Sequence, residues 1–131
     1  MKTIIFIACV LVIVRAGEAV TGKDFRNYLT ECEKLLPKVP NLSKENNPVV
    51  VYCAYKRTGL ISDNSPIDKD ILDHNCEVLI SNSANVERCK SVINMCVDKV
   101  LKENAANDIL TQKINLITCG ITNDLVGLVD S

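Results

Sequence analysis

The stretch that most constrains the fold runs from Ser83 to Lys102, where two cysteines lie on one face of a predicted amphipathic helix. Apolar residues recur there at the three- and four-residue spacing of a helical face, and charged residues occupy the opposite side. Cys89 and Cys96 both fall on the apolar stripe, roughly two helical turns apart. Because a helix with two inward thiols can be tied to two different neighbours, this stretch predicts a small helical domain built around it.

The beginning of the chain has the features of a secretory signal peptide. A lysine precedes the apolar run from Ile4 to Val14, and small residues, Gly17 and Ala19, stand at the two cleavage positions. The run is too short to cross a membrane, and no later stretch approaches the required length. We therefore expect a signal peptide over residues 1–19 and one secreted, extracellular domain over residues 20–131.

Six of the seven cysteines lie after the predicted cleavage site. In an oxidising compartment, six cysteines in a short chain predict three disulfides. Spacing alone leaves fifteen connectivities open. With few aromatic residues and no tryptophan, the interior must be mostly aliphatic, and the bridges are expected to contribute a large share of the stability.

The charge is nearly balanced, with a formal net value of −1. Such a balance argues against nucleic acid and against an anionic membrane as partners. The sequence has no glycine-rich phosphate loop and no other motif for a cofactor, so none is expected. One sequon, Asn41-Leu42-Ser43, makes Asn41 a candidate for N-glycosylation.

The rest of the chain predicts an all-α fold, a compact bundle of five to six short helices cross-linked by three disulfides. The β-branched Val49–Val51 would also suit a strand, but the segment is short and Gly59 follows as a helix stop. In chain order, the predicted helices run from Thr21 to about Leu36, from Val49 to about Lys56, from Ser65-Pro66 to about Ile80, from Ser83 to Lys102 and from Asn107 or Asp108 to Gly120, with a last short turn from Thr122.

Catalysis finds little support in the sequence. The only histidine, His74, follows Asp73, whereas secreted phospholipases A2 carry a Cys-Cys-x-x-His-Asp pattern with a glycine-rich calcium loop nearby. Here the order is reversed and the glycines are missing, and one histidine cannot form a multi-histidine metal site. We predict no enzyme and no metal site, and we interpret His74 as a surface residue. A pH-sensing role for His74 is the alternative.

Isoleucine, leucine and valine recur on every predicted helix. Such a bundle can pack into a solid core, or its short helices can enclose an apolar pocket that disulfides hold open. Periodicity does not distinguish the two.

Four groups of residues, in chain order, resemble a known family. They are Cys32 with Leu36-Pro-Lys38, Tyr52-Cys53-Ala54 with Lys56-Arg57-x-Gly59, Ala84-Asn-Val-Glu-Arg-Cys89-Lys followed by Cys96-Val-Asp98, and Gln112-Lys-Ile-Asn-x-Ile117 with Cys119-Gly120. Together they resemble the ant venom allergen two/four family, and they span most of the chain after the predicted signal peptide.

The resemblance implies a secreted ant protein, usually of venom, with a fold similar to insect odorant-binding proteins. It implies an apolar cavity for a small hydrophobic molecule such as a pheromone, a lipid or a venom component. The alternative is a non-enzymatic venom component or allergen without a functional pocket. The candidate lining residues are Val50, Tyr52, Tyr55, Ile71, Leu79, Val92, Ile93, Met95, Ile114 and Ile117, with Tyr52 or Tyr55 as a polar handle.

The resemblance also implies a disulfide pairing, namely Cys32–Cys53, Cys76–Cys96 and Cys89–Cys119. Some family members carry an extra cysteine after the first helix that links two chains, and Val39 occupies that position here. The resemblance therefore implies no interchain disulfide, and it leaves a non-covalent dimer open.

Overall fold

Residues 20–131 are described by the structure, a computed structural model, and form five α-helices and two 3₁₀ turns without a strand. The helices are α1 (Gly22–Leu35), α2 (Pro48–Arg57), α3 (Lys69–Leu79), α4 (Ser83–Glu103) and α5 (Ile109–Thr122), and the 3₁₀ turns are Lys44–Asn46 and Val126–Leu128. The all-α prediction is confirmed. The predicted signal peptide lies outside the described residues. Within those residues, no helix combines the length and apolarity that a membrane crossing needs.

The first two helices begin where their capping residues predict. The Thr21 hydroxyl accepts a hydrogen bond from the Asp24 amide at 3.2 Å, and the Asp24 carboxylate accepts one from the Thr21 amide at 2.9 Å. Asn47 caps α2, with Pro48 in its first turn. Gly59 follows with a φ of +79°, a left-handed conformation that favours glycine. The prediction of a helix rather than a strand at Val49–Val51 is confirmed.

Helix α3 begins later than the Ser65-Pro66 pair predicts. Its N-cap is Asp68, whose Oδ1 accepts hydrogen bonds from the amides of Asp70 at 2.9 Å and Ile71 at 3.3 Å. The hydroxyl of Ser65 instead forms a hydrogen bond of 2.6 Å with that of Ser62. Residues 59–68 are therefore a loop, which crosses the surface between α2 and α3.

Helix α5 continues past Gly120, the predicted stop, to Thr122. A Cβ at Gly120 would lie 2.9 Å from Leu125 Cδ2. The absence of a side chain here lets the C-terminal segment fold back against the helix, so this glycine serves close packing rather than helix termination.

The helices pack in pairs around one hydrophobic core. Helix α1 packs mainly on α2, α3 on α4, α4 on α5, and α5 also contacts α2. The most deeply buried apolar side chains come from different helices, as with Leu29 of α1, Ala54 of α2 and Cys96 of α4. Helix α4 is the longest, and it touches both of its neighbours in sequence.

Three disulfides cross-link the bundle, and all six cysteines of residues 20–131 are paired within the chain. The predicted bridge Cys32–Cys53, between α1 and α2, is confirmed. The predicted pairs Cys76–Cys96 and Cys89–Cys119 are wrong, because the structure has Cys76–Cys89 and Cys96–Cys119.

Antiparallel geometry explains the corrected pairing. Helices α3 and α4 are joined by the short turn 80–82, so residues at similar distances from this turn face each other. Cys89 is about 10 Å closer to the turn than Cys96 at the helical rise of ~1.5 Å per residue, so it meets Cys76. Cys96 lies nearer the 104–108 turn and meets Cys119 of α5. Helix α4 is therefore tied to the helix before it through Cys89 and to the helix after it through Cys96.

Candidate ligand-binding site

An apolar cavity of about 80 Å³ lies at the centre of the bundle, and we call it the central cavity. Every helix and the C-terminal segment contribute to its walls. Its apolar lining includes Phe25, Val51, Ile61, Leu72, Leu79, Ile80, Ile93, Leu116, Ile117, Ile121, Leu125, Val126 and Val129. A cavity with such walls excludes water and favours an apolar occupant.

Two disulfides form part of the cavity wall. Cys76 and Cys89 line it as a bonded pair, and Cys96 lines it next to α5. Covalent bonds therefore fix the distances between the helices on this side of the cavity. A packing defect that costs contact energy is tolerated more readily where covalent cross-links supply stability.

The one polar pair in the lining is formed by Tyr55 and Asn75. The Asn75 amide donates to the Tyr55 hydroxyl oxygen, and it also donates to the Leu60 carbonyl at 3.4 Å. Burial raises the pKa of the Tyr55 phenol to about 12, so the group stays neutral near pH 7. Its O–H proton is the donor that a polar atom of a ligand could use.

The C-terminal segment, residues 124–131, closes one side of the central cavity. The Arg26 guanidinium of α1 donates to the carbonyls of Val129 at 2.7 Å, Val126 at 3.0 Å and Asp130 at 3.4 Å. The Asp130 amide also donates to the Leu79 carbonyl at 3.2 Å. One arginine therefore holds much of the segment that carries three lining residues.

Arg26→Ala is expected to loosen this segment and lower the free energy of unfolding by about 1–3 kcal/mol, because charge-assisted bonds to three carbonyls are lost. Hydrogen exchange should speed up at the amides of residues 124–131. Arg57→Ala is the matched control, since Arg57 pairs with Glu31 on the surface and its loss should cost under about 1 kcal/mol. Equal effects of the two variants on exchange in residues 124–131 would contradict the role of Arg26.

The structure brings four of the ten predicted lining residues together, namely Tyr55, Leu79, Ile93 and Ile117. Val50 and Tyr52 are buried but lie outside the lining, and the Tyr52 hydroxyl donates to Asp63 Oδ1 at 2.6 Å. Tyr55, rather than Tyr52, is therefore the tyrosine of the cavity lining.

The remaining four predicted residues do not reach the central cavity. Ile71 is 52% exposed and Met95 is 47% exposed, while Val92 and Ile114 pack against the core from outside the lining. On α3, Leu72 rather than the predicted Ile71 lines the cavity, and on α4 the predicted Ile93 lines it whereas the predicted Met95 points outward.

The sequence prediction missed Phe25 and the C-terminal residues Leu125, Val126 and Val129. Phe25 lies on α1, a helix from which no lining residue was predicted. The apolar spacing of the last residues was visible in the sequence, but nothing in it showed that the segment returns to α1. The contact depends on Arg26, which periodicity does not mark as an inward residue.

His74 lies on the surface, as predicted, with its side chain 70% exposed. Its Nδ1 is 3.5 Å from Glu77 Oε2, and Glu77 also pairs with Lys90 at 2.7 Å. Hydrogen bonding from Lys90 holds the pKa of the Glu77 carboxyl below its usual value. None of these three side chains lines the central cavity within the described residues.

Comparison with known proteins places these features in a family. The model of the ant venom allergen Sol i 2 family matches residues 31–123. Venom allergen 4 of Solenopsis geminata is 28% identical over 133 residues, covering 98% of this chain and 95% of the relative. Venom allergen 4 of Solenopsis invicta is 27% identical over 135 residues, covering 98% and 95%. Venom allergen 2 of Solenopsis saevissima is 29% identical over 137 residues, covering 96% of each chain. Because the family match spans more than half of the sequence, the chain belongs to the ant venom allergen Sol i 2 family.

Proposed function

We propose that this chain is a secreted venom protein that carries a small hydrophobic ligand in the central cavity. The observation that supports this proposal is the cavity itself, whose walls are apolar except for the Tyr55–Asn75 pair. Ligand sites in proteins have this composition, with mostly apolar walls and a few polar groups that orient the ligand.

The size of the cavity limits the ligand. At about 80 Å³ it is smaller than the sites of roughly 300–1,000 Å³ that hold drug-sized molecules. A slender hydrocarbon chain suits this space better than a bulky ring system. A pheromone, a lipid or a venom component of that shape, with one hydrogen-bond acceptor for Tyr55, fits the chemistry of the walls.

The proposal is tested with methyl parinarate, a neutral fatty ester whose slender polyene chain acts as a dye because it fluoresces in apolar surroundings, and with Ile117→Trp, which fills the cavity. We expect saturable dye binding to the wild-type protein and binding at least roughly tenfold weaker to the variant. The chain has no tryptophan, so a blue-shifted emission of the new indole shows that it is buried.

Leu110→Trp is the matched control, because Leu110 lies on the same helix, is 50% exposed and is absent from the cavity lining. It should bind the dye as the wild-type protein does. Should the larger ring prevent folding, Ile117→Phe gives a smaller obstruction with an expected cost of about 1–3 kcal/mol. Absence of saturable dye binding to the wild-type protein, or equal binding to the Ile117 and Leu110 variants, would contradict a functional cavity.

A venom component without a functional pocket is the second candidate. The small volume favours it, as does the number of apolar side chains that are almost fully buried, which is typical of a solid core. In that case, small apolar molecules extracted from the native protein should be absent, and the dye titration should not saturate.

A carrier role also agrees with the remaining features. The only histidine of the sequence is exposed and paired with a surface carboxylate, which supports binding rather than catalysis.

All cysteines of the described residues form disulfides within the chain, so any dimer formed by this part of the chain would be non-covalent. Asn41 is exposed with a φ of +64°, and its glycosylation stays a prediction.

A further inference from the structure

Among residues 20–131, Lys113 is the one charged residue that is buried, with only 1% of its surface exposed. It projects from α5 beneath the loop 59–68. A second pocket of about 160 Å³ lies against it, and we call this space the Lys113 pocket. Its walls come from the loop, from the start of α3 and from α5, and they include Ser62, Ile67, Asp68 and Ile71.

The ammonium group is only partly satisfied within the protein. Its Nζ donates to the Ser62 backbone carbonyl, whereas an ammonium group can donate three hydrogen bonds. Among residues 20–131, no carboxylate oxygen lies within 4.0 Å of this nitrogen. A buried cation without an anionic partner is costly, because it has lost water and gained little in return.

Two acids lie near Lys113 or its pocket, and each accepts hydrogen bonds from other groups. Asp63 accepts a hydrogen bond from Tyr52 at 2.6 Å on one oxygen and pairs with Lys56 at 3.1 Å through the other. Asp68, at the edge of the Lys113 pocket, uses Oδ1 to cap α3. Burial lowers the pKa of the Lys113 ammonium, and the charge of Asp63 opposes this effect from a greater distance. The Lys113 pocket therefore holds a buried positive charge that its one lining acid, Asp68, does not contact within 4.0 Å.

The Lys113 pocket adjoins the central cavity. Ile61, Leu72 and Leu116 line both spaces, so a single layer of side chains separates them. Rotation of these side chains would join the two volumes into one channel, apolar at the inner end and cationic at the outer end. That arrangement matches a molecule with a hydrocarbon chain and an acidic head group.

We propose that the ligand is an amphipathic carboxylate of the fatty-acid class, with its chain in the central cavity and its head group bound by Lys113. This inference rests on the proposed carrier function and adds a charge preference to it. The carboxylate accepts the donors of Lys113 that the protein leaves unused, and it supplies the missing counter-charge in a site shielded from water. A ligand without a charge gains nothing at this end of the channel.

The alternative role of Lys113 is structural, as a clamp that holds the loop 59–68 through Ser62. The two roles are separated by decanoate and methyl decanoate, which share one hydrocarbon chain and differ in charge. Each is titrated against the protein loaded with methyl parinarate near pH 7, where decanoate is ionised. We expect decanoate to displace the dye at a concentration roughly tenfold or more below that needed for the ester.

Lys113→Met keeps the length of the side chain and removes its charge. We expect this variant to lose the preference for the acid while its affinity for methyl decanoate stays within about twofold of the wild-type value. Lys113→Arg, which keeps the charge, should retain a preference for decanoate. A purely structural role predicts the opposite pattern, in which the methionine variant loses affinity for both compounds equally.

Equal displacement by acid and ester in the wild-type protein would overturn the proposal, as would a preference for the acid that survives in Lys113→Met. The wild-type comparison needs no variant, so it tests the charge preference even where the methionine variant does not fold, and Lys113→Arg then tests the role of the charge at this position. If neither the dye nor either compound binds, the carrier function itself fails. If all bind but without charge preference, only the role of Lys113 fails.

Discussion

Replacing Cys96 and Cys119 together with alanine is expected to lower the free energy of unfolding by about 3 kcal/mol. Without the bridge, the loop between the two residues is open in the unfolded chain, and the unfolded state gains conformational entropy. The two cysteines are 23 residues apart in sequence. The loss is large beside a total stability of roughly 5–15 kcal/mol. Urea denaturation, followed by circular dichroism, measures the difference between the variant and the wild-type protein.

Because Cys96 also lines the central cavity, the same double variant should bind methyl parinarate more weakly. The matched control is the pair Cys32 and Cys53, which are 21 residues apart and absent from the lining. Their replacement should cost a similar free energy but leave dye affinity at a temperature well below unfolding unchanged. An equal loss of dye binding in both double variants would contradict a wall role for Cys96.

The pairing itself can be read from tryptic peptides of the unreduced protein. Each cysteine of residues 20–131 falls in a different tryptic peptide, since a lysine or arginine separates every neighbouring pair. Peptide 70–88, with Cys76, should be linked to the dipeptide 89–90, and peptide 91–99 to peptide 114–131. A link between peptides 70–88 and 91–99 would restore the pairing that the family resemblance implied.

Helices were predictable here because their signals are local. The apolar spacing of α4, the capping box at Thr21 and the proline at the start of α2 all act within one or two turns of chain. The helices that these signals mark were predicted, although the start of α3 was placed at a competing Ser-Pro pair. The boundary was misjudged because Ser65 can cap a helix but bonds to Ser62 instead.

The site was less predictable because it depends on which faces meet. On α3, Leu72 lines the cavity and its neighbour Ile71 is exposed. Both residues are equally apolar, so the spacing does not show which of them points inward. Lys113 gave no signal either, since an isolated lysine in a helix is normally exposed. Only the loop 59–68, which folds over α5, makes this lysine a buried charge.

Raising the pH is expected to destabilise the protein through Tyr52 and Tyr55, the two tyrosines of α2. Burial raises the pKa of Tyr55 from 10.0 to about 12 in the folded state. Burial, with the hydrogen bond and charge of Asp63, also raises the pKa of Tyr52. Both phenols are therefore held neutral by the fold at a pH where the unfolded chain would release their protons.

The direction of this pH effect follows from the linkage between proton binding and folding. A raised folded pKa contributes stability that is complete below pH 10 and is lost as the pH rises through the folded value. For Tyr55 the interval from 10.0 to about 12 corresponds to about 3 kcal/mol at about 1.4 kcal/mol per pKa unit. Tyr52 acts in the same direction. Its ionisation would also set an anion against Asp63, which it now holds by a 2.6 Å hydrogen bond.

Tyr55→Phe should remove most of the Tyr55 contribution. Between pH about 10 and 12, the free energy of unfolding should therefore fall less in this variant than in the wild-type protein, and the two losses should differ by about 3 kcal/mol. Lys113 acts with the opposite sign, since its pKa is lowered, and comparing variants cancels this effect. The measurement is the urea midpoint by circular dichroism across the interval. An equal alkaline loss in Tyr55→Phe and the wild-type protein would contradict burial of the Tyr55 phenol as the source of the effect.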